Sequence, residues 1–365
     1  MSDGHDHAPA RAPETEGGAF GFTGTWQQFA PIAFTNLALT IVTLGIYSFW
    51  ARTRVRRYLW SETRFIDDRL EWTGTGLELF IGYLLAFVLI LVPLGVIQLV
   101  VQGIVLRGHP GAAGLMVVVL YIALLYLVGI AVFRALRYRL SRTFWHGIRG
   151  GSDDQGLGYG WQYLWRTLCG GLVLGLLIPW SMTSLWNERW NKMSFGPLRF
   201  EAAAEAGKLM PRFLLFYLVP ILLFGGGIAA AFMFHGEPSG LPTPSSVMVI
   251  GFLLVFVFYG VLGAVALFFY SAYFREAIGT LSLGDLEFQF TARTWDWAKL
   301  MLGNIALVIC TLGIGYIFLA YRNWAFFIRH LHAFGSVHLD DLTQSGTREP
   351  GQGEGLLDAF DIGAF

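Results

Sequence analysis

The sequence predicts an all-α integral membrane protein, with four spanning helices, three re-entrant helical hairpins in an internal repeat, and small β-hairpins on the cytoplasmic side. Three observations predict it. Hydrophobic residues make up 55% of the chain and charged residues 14%, against about 25% charged in a soluble domain. One apolar stretch recurs at a fixed offset. The basic residues gather on one side once the recurring stretches are folded back on themselves.

The recurring stretch runs from Trp26 to Trp60, is broken at Thr43-Leu44-Gly45, and is closed by Arg52, Arg54, Arg56 and Arg57. Asn36, Thr43, Leu44, Gly45 and Ile46 return 268 residues later as Asn304, Thr311, Leu312, Gly313 and Ile314, and Phe20, Phe22 and Thr23 return as Phe288, Phe290 and Thr291. A degenerate copy lies between them, Trp161 to Trp190. Its break is read at Ile178-Pro179, 134 residues after Gly45 and 134 before Gly313. A shared period of this kind is the mark of a repeat, with units at about 20–153, 154–287 and 288–342.

In chain order, residues 1–19 are polar and rich in Ala, Pro and Gly, and read as a disordered tail without the basic-then-apolar order of a signal peptide. The first hairpin follows. Its arms of about 15 residues rise about 22 Å each, short of a core of about 30 Å. A Gly or Pro suits the bend. Leu79–Val101 and Leu115–Phe133 read as a spanning pair, and Phe213–Phe234 and Val247–Tyr270 as a second. Both are joined by short, nearly uncharged loops. The joints between sets carry strand-like alternation around tight turns, most clearly Thr280–Leu283, Gly284-Asp285, Leu286–Phe290. These joints could pair side by side into one cytoplasmic sheet or collar. Residues 20–342 are therefore one polytopic domain and 343–365 a flexible tail.

Topology follows from charge. Seven simple crossings would leave 10 of the 25 basic residues outside, whereas re-entrant hairpins leave only Arg107; the positive-inside rule selects the second. All 13 tryptophans lie in the hairpins or the joints beside them, as expected of segments near an interface. The expected location is the bacterial inner membrane, with both termini cytoplasmic.

The run NLALTIVTLGIYSFWARTRVRRYLWSETRF, followed by LEWTGTGLELFIGYLL, resembles the YjgN-like family of bacterial inner-membrane proteins over about Phe20 to Leu342. The middle copy departs from the pattern, with Ile178-Pro179-Trp180 in place of Thr-Leu-Gly-Ile. The resemblance implies a multi-pass inner-membrane protein and brings no activity, cofactor or catalytic residue with it.

No nucleophile motif, zinc-protease helix or phosphate-binding loop appears. His330, His332 and His338 with Asp340 and Asp341 are the one cluster of metal-ligand types, but the spacing of two puts His330 and His332 on different helical faces, and interfacial histidines are the simpler reading. No catalytic residue, cofactor or metal is assigned. Thr43, Leu44, Gly45, Pro179, Thr311, Leu312 and Gly313 are the candidate hairpin tips. Arg52, Arg54, Arg56, Arg57 and Arg322 are the candidate contacts to anionic headgroups. The expected partner is the lipid bilayer, not nucleic acid, and the oligomeric state stays open. Non-enzymatic handling or passage of a lipid or small solute is the first function class. Discontinuous helices build sites at depth, although the spanning helices lack a midplane charge. A structural or membrane-shaping protein with one-sided wedges is the second, and an intramembrane enzyme the third.

Overall fold

The computed structural model describes residues 18–233, 244–337 and 343–348. Strand β1 (Phe20–Phe22) leads into α1 (Trp26–Val42) and α2 (Ser48–Ser61), followed by β2 (Thr63–Phe65), β3 (Asp68–Arg69) and β4 (Glu71–Trp72). Helix α3 (Gly76–Ala86) passes through a π-helical turn, Phe87–Leu91, into α4 (Val92–Leu106), and α5 (Pro110–Arg142) returns beside it. Then come β5 (Thr143–Trp145), β6 (Ile148–Gly151), α6 (Leu157–Gly171), α7 (Ile178–Trp190), β7 (Ser194–Phe195) and β8 (Leu198–Ala202). The remainder is α8 (Met210–Phe213), α9 (Leu215–Met233), α10 (Pro244–Gly279), β9 (Leu281–Leu283), β10 (Leu286–Phe290), α11 (Thr294–Cys310), α12 (Leu319–His330) and β11 (Leu331–Phe334).

Two described helices, Pro110–Arg142 and Phe252–Gly279, are long and apolar enough to cross a membrane; Gly76–Ala86, Val92–Leu106 and Met210–Gly226 are apolar but shorter. The first of these is cut short by its π-helical turn. Pro93 has no N–H to give the preceding turn, and its ring displaces the carbonyl it would otherwise bond, so the helix loosens by one residue there. The base of α3 is fixed by the Thr75–Glu78 capping box. The Glu78 carboxylate also accepts from Tyr138 Oη at 2.9 Å and Arg142 Nη2 at 2.8 Å on α5.

The all-α class needs correcting. The joints form an eight-stranded antiparallel sheet, β11-β10-β9-β8-β7-β6-β5-β4, and a three-stranded one, β1-β2-β3. A lone hairpin is marginal in water and an open edge invites pairing, so the hairpins left between helix sets zip onto one another. Gly150 pairs with Phe195, Phe200 with Leu283, and Phe290 with Leu331. The two sheets approach each other where the Phe20 ring on β1 lies 6.3 Å from Phe288 on β10. The inner face of the larger sheet is apolar: Leu281, Leu283, Leu286 and Phe290 are buried, while Glu287 is exposed. They share one core with Phe65, Trp145, Phe195 and Phe200, and with Phe133, Tyr159 and Trp186 from the helix ends. The sheet is thus the platform from which the helices project.

The C-terminal stretch 343–348 lies along this platform. Arg149 donates to the Thr347 carbonyl at 2.6 Å and Gln344 Nε2 to the Gly147 carbonyl at 3.0 Å, and all of β6 is buried.

Candidate functional site

The three apolar stretches are helical hairpins. The turn of the first closes with Leu44 N–H on the Ile41 carbonyl (3.1 Å) and Gly45 N–H on the Thr40 carbonyl (2.8 Å). That is the paired C-terminal hydrogen-bonding of a Schellman motif. The third repeats it, with Leu312 N–H on Ile309 and Gly313 N–H on Val308 at 3.1 and 2.8 Å. The residue placed in the left-handed region is a leucine in both, φ 51°, followed by glycine at φ 94°. A left-handed leucine costs roughly 1–2 kcal/mol. The α4–α5 turn closes with the same pair of bonds and uses Gly108 at that position, without the strain.

These leucines touch almost nothing. Leu44 and Leu312 are each 94% exposed and Leu174 is 87% exposed. A Cβ added to Gly45 or Gly313 would meet no atom within 4 Å. The threonines before Leu44 and Leu312 are fully engaged. Thr43 Oγ1 donates to the Leu39 carbonyl (2.8 Å) and accepts the Tyr47 N–H (2.9 Å); Thr311 does the same with Leu307 and Gly315, both at 2.6 Å. The hydroxyls hold the bend.

The middle tip is not at Pro179. That residue lies in the first turn of α7 and is buried. The chain turns earlier, at Val173, Leu174 and Gly175, with φ of 52°, 58° and 85°. Equal spacing does not locate this tip, because the middle copy carries its break four residues nearer its start. The three tips have a Leu-Gly dipeptide in common, Leu44-Gly45, Leu174-Gly175 and Leu312-Gly313, although the same dipeptide also occurs away from the tips, as at Leu157-Gly158. Tyr217 on α9 braces this tip by donating to the Leu174 carbonyl at 2.6 Å.

The bases of the hairpins carry exposed tryptophan: Trp26 (59%), Trp161 (58%) and Trp295 (64%). The first and third hairpins pack on each other. Phe29, fully buried, stacks on Tyr321 with centroids 5.4 Å apart, and Trp60 stacks on Trp324 at 4.2 Å. The middle one packs on α5, where a Cβ on Gly129 would lie 2.9 Å from the Gly160 Cα, a close approach that small residues permit.

The five selected arginines separate. Arg54 and Arg57 are exposed on α2. Arg52 is half-buried, 5.9 Å from the Phe49 ring centroid. Arg56 is buried with its guanidinium 5.1 Å from the Trp72 ring centroid, so it faces the protein. Arg322 donates to Asn304 across its own hairpin. His330 bonds the Phe326 carbonyl through Nδ1 at 2.8 Å and His332 sits in β11 opposite Gln289. His338, Asp340 and Asp341 lie outside the described residues, among which no group of metal-ligand residues assembles. Sequence reading also passed over a cleft of about 510 Å³ between the end of α10 and the start of α11, lined by Arg275, Gln289, Phe290, Thr291, Arg293 and Thr294.

A family described as "Bacterial protein of unknown function (DUF898)" matches residues 18–359. The inner membrane protein YjgN of Salmonella typhimurium is 32% identical over 130 residues, 36% of this chain and 30% of the relative. The protein of that name from Escherichia coli O157:H7 is 30% identical over 131 residues, again 36% and 30%. The one from Escherichia coli K12 is 36% identical over 66 residues, 18% and 17%. The chain thus matches under a third of the length of these curated relatives. No solved structure matches.

Proposed function

We propose, for a chain that belongs to the DUF898 family of bacterial proteins, the role of a wedge in the cytoplasmic leaflet of the inner membrane, a structural and membrane-shaping protein without catalysis. The single observation that carries this reading is the strained, exposed leucine at each of three tips. A side chain that costs stability and is almost wholly exposed has its use in what lies outside the protein, and for leucine that is hydrocarbon.

Depth supports it. Arg54 lies ten residues beyond Leu44, and Arg322 ten beyond Leu312, about 15 Å along a helix. With Arg54 at the headgroups, its tip sits near the middle of a core of about 30 Å. Arg54 and Arg57 are the contacts to anionic headgroups in this reading, with exposed tryptophans at the hairpin bases beside them. Three hairpins entering from one side expand one leaflet only. Four spans complete the topology, α3–α4 against α5 and α9 against α10, with both termini cytoplasmic. The names of the relatives place them in the inner membrane, and 24 of 25 basic residues then fall inside.

A second reading, handling or passage of a lipid or small solute, draws on the cleft between α10 and α11. Liposomes holding the purified chain separate the two. Vesicle tubulation or shrinkage without release of solute or lipid exchange supports the wedge. Flux without a change of shape supports the second reading and removes the first.

A further inference from the structure

Three arginines lie near one another where the ends of α8, α10 and α11 adjoin the sheet. Arg275, near the end of α10, donates from Nη1 to the Ala292 carbonyl at 2.8 Å, which holds its guanidinium across the entry to α11. Arg293 immediately precedes α11. Arg212 lies on α8, 4.9 Å from the Phe268 ring centroid. The charges of Arg212 and Arg293 both act on Arg275.

Among the described residues no carboxylate pairs with any of the three guanidinium groups. Glu276 is taken by Lys208 Nζ at 2.9 Å and by the Glu205 N–H at 3.2 Å. Asp296 accepts the backbone N–H of Arg293 at 2.9 Å. Converging like charges repel unless an anion joins them. The space for one is present, since Arg275 and Arg293 line the cleft of about 510 Å³ together with Gln289, Thr291 and Thr294. The positive end of the 17-residue helix α11 adds to the potential there, offset in part by Asp296.

We propose that this cleft binds a phosphate-bearing anion, with Arg275 and Arg293 as direct partners and Arg212 as a flanking cation. Arginine suits the task because its planar fork matches phosphate oxygens. Two sources present that chemistry, an anionic phospholipid headgroup and a free phosphorylated solute. Exposed Trp295 stands beside the cleft with Lys299 Nζ 5.7 Å from its ring centroid, an arrangement of the membrane interface that favours the headgroup. The lipid source rests on the topology proposed above; anion binding itself does not.

The test titrates the full chain in neutral detergent with short-chain phosphatidylglycerol and, separately, with inorganic phosphate. Saturable binding that weakens at least tenfold in Arg275→Gln and in Arg293→Gln, and stays unchanged in Arg107→Gln, is the expected result. Loss confined to the lipid titration identifies a headgroup, while equal loss in the phosphate titration identifies a soluble phosphate ester. Absence of saturable binding to both, or equal binding by wild type and Arg293→Gln, overturns the proposal. Arg293 is exposed, so that variant keeps its fold if Arg275→Gln does not. Intact binding in a chain that leaves vesicle shape unchanged removes the wedge and retains the anion site.

Discussion

Arg322 Nε donates to Asn304 Oδ1 at 2.7 Å, and Asn304 Nδ2 passes the chain on to Asn323 Oδ1 at 2.9 Å. Asn36, at the matching place 268 residues earlier, reaches only the Ala51 carbonyl at 3.3 Å, and its buried Oδ1 has no partner among the described residues. Arg54, the match of Arg322, faces outward. The same residue pair therefore ties one hairpin together and leaves the other's arginine free for the surface.

This difference predicts unequal costs. Asn304→Leu strips a half-buried guanidinium of its acceptor and should destabilise the chain by about 1.5–3 kcal/mol. Asn36→Leu removes one long bond together with an orphaned acceptor and should stay within about 1 kcal/mol of wild type. Thermal unfolding in detergent measures both, and equal losses would contradict the asymmetry.

The tip leucines should show a trade between stability and use. Leu44→Gly and Leu312→Gly relieve the left-handed backbone by roughly 1–2 kcal/mol each, less the extra entropy of glycine in the unfolded chain. Melting in detergent should hold or rise, while vesicle deformation falls. A fall in melting temperature would show that these leucines stabilise the fold after all.

The threonine hydroxyls should matter for stability alone. Thr43→Val leaves the Tyr47 N–H without its acceptor, and Thr311→Val does the same to Gly315, each at about 1–3 kcal/mol. Valine variants that keep their melting temperature yet lose activity on vesicles would move these groups into a functional site.

At the base of the middle hairpin, Lys192 Nζ bridges Asp154 at 2.9 Å and Glu188 at 3.2 Å. Burial by itself would raise the Asp154 carboxyl, but the Gly156 N–H and Lys192 together hold it below its ordinary value. Burial would likewise lower Lys192, and Asp154 and Glu188 raise it instead. The Asp154 contribution is thus present above the ordinary carboxylate pKa and lost as pH falls through its depressed one. The Lys192 contribution is complete below the ordinary lysine pKa and lost as pH rises through its elevated one. Asp154→Asn should flatten the loss of stability below about pH 4, read from melting temperatures across pH. An unchanged acid limb would show that the pair does not contribute.

Topology has its own test. A reporter inserted after Lys192 should read cytoplasmic, and a cysteine at Leu44, in a chain without Cys169 and Cys310, should resist a water-soluble thiol reagent added from the periplasmic side. Rapid labelling from that side would mean that the first hairpin crosses the membrane.

The sequence by itself determined the apolar composition, the two Thr-Leu-Gly breaks and the alternation of the joint strands. All three are local: a helix must stop where a left-handed pair forms, and period two in a short run sends every second side chain to one face. Tertiary structure decided the rest. Strand pairing between segments far apart made a continuous sheet from isolated hairpins, because an unpaired edge finds its partner in space and not in sequence. The middle tip moved from Pro179 to Leu174-Gly175, because a proline suits the start of a helix as well as a bend. Packing sorted the arginines, stacking Arg56 on Trp72 and tying Arg322 to Asn304, while bringing Arg212, Arg275 and Arg293 together from positions up to 81 residues apart. A positive side chain looks the same in sequence whether it meets an aromatic face, an amide or open water. Only the neighbours that folding supplies distinguish them.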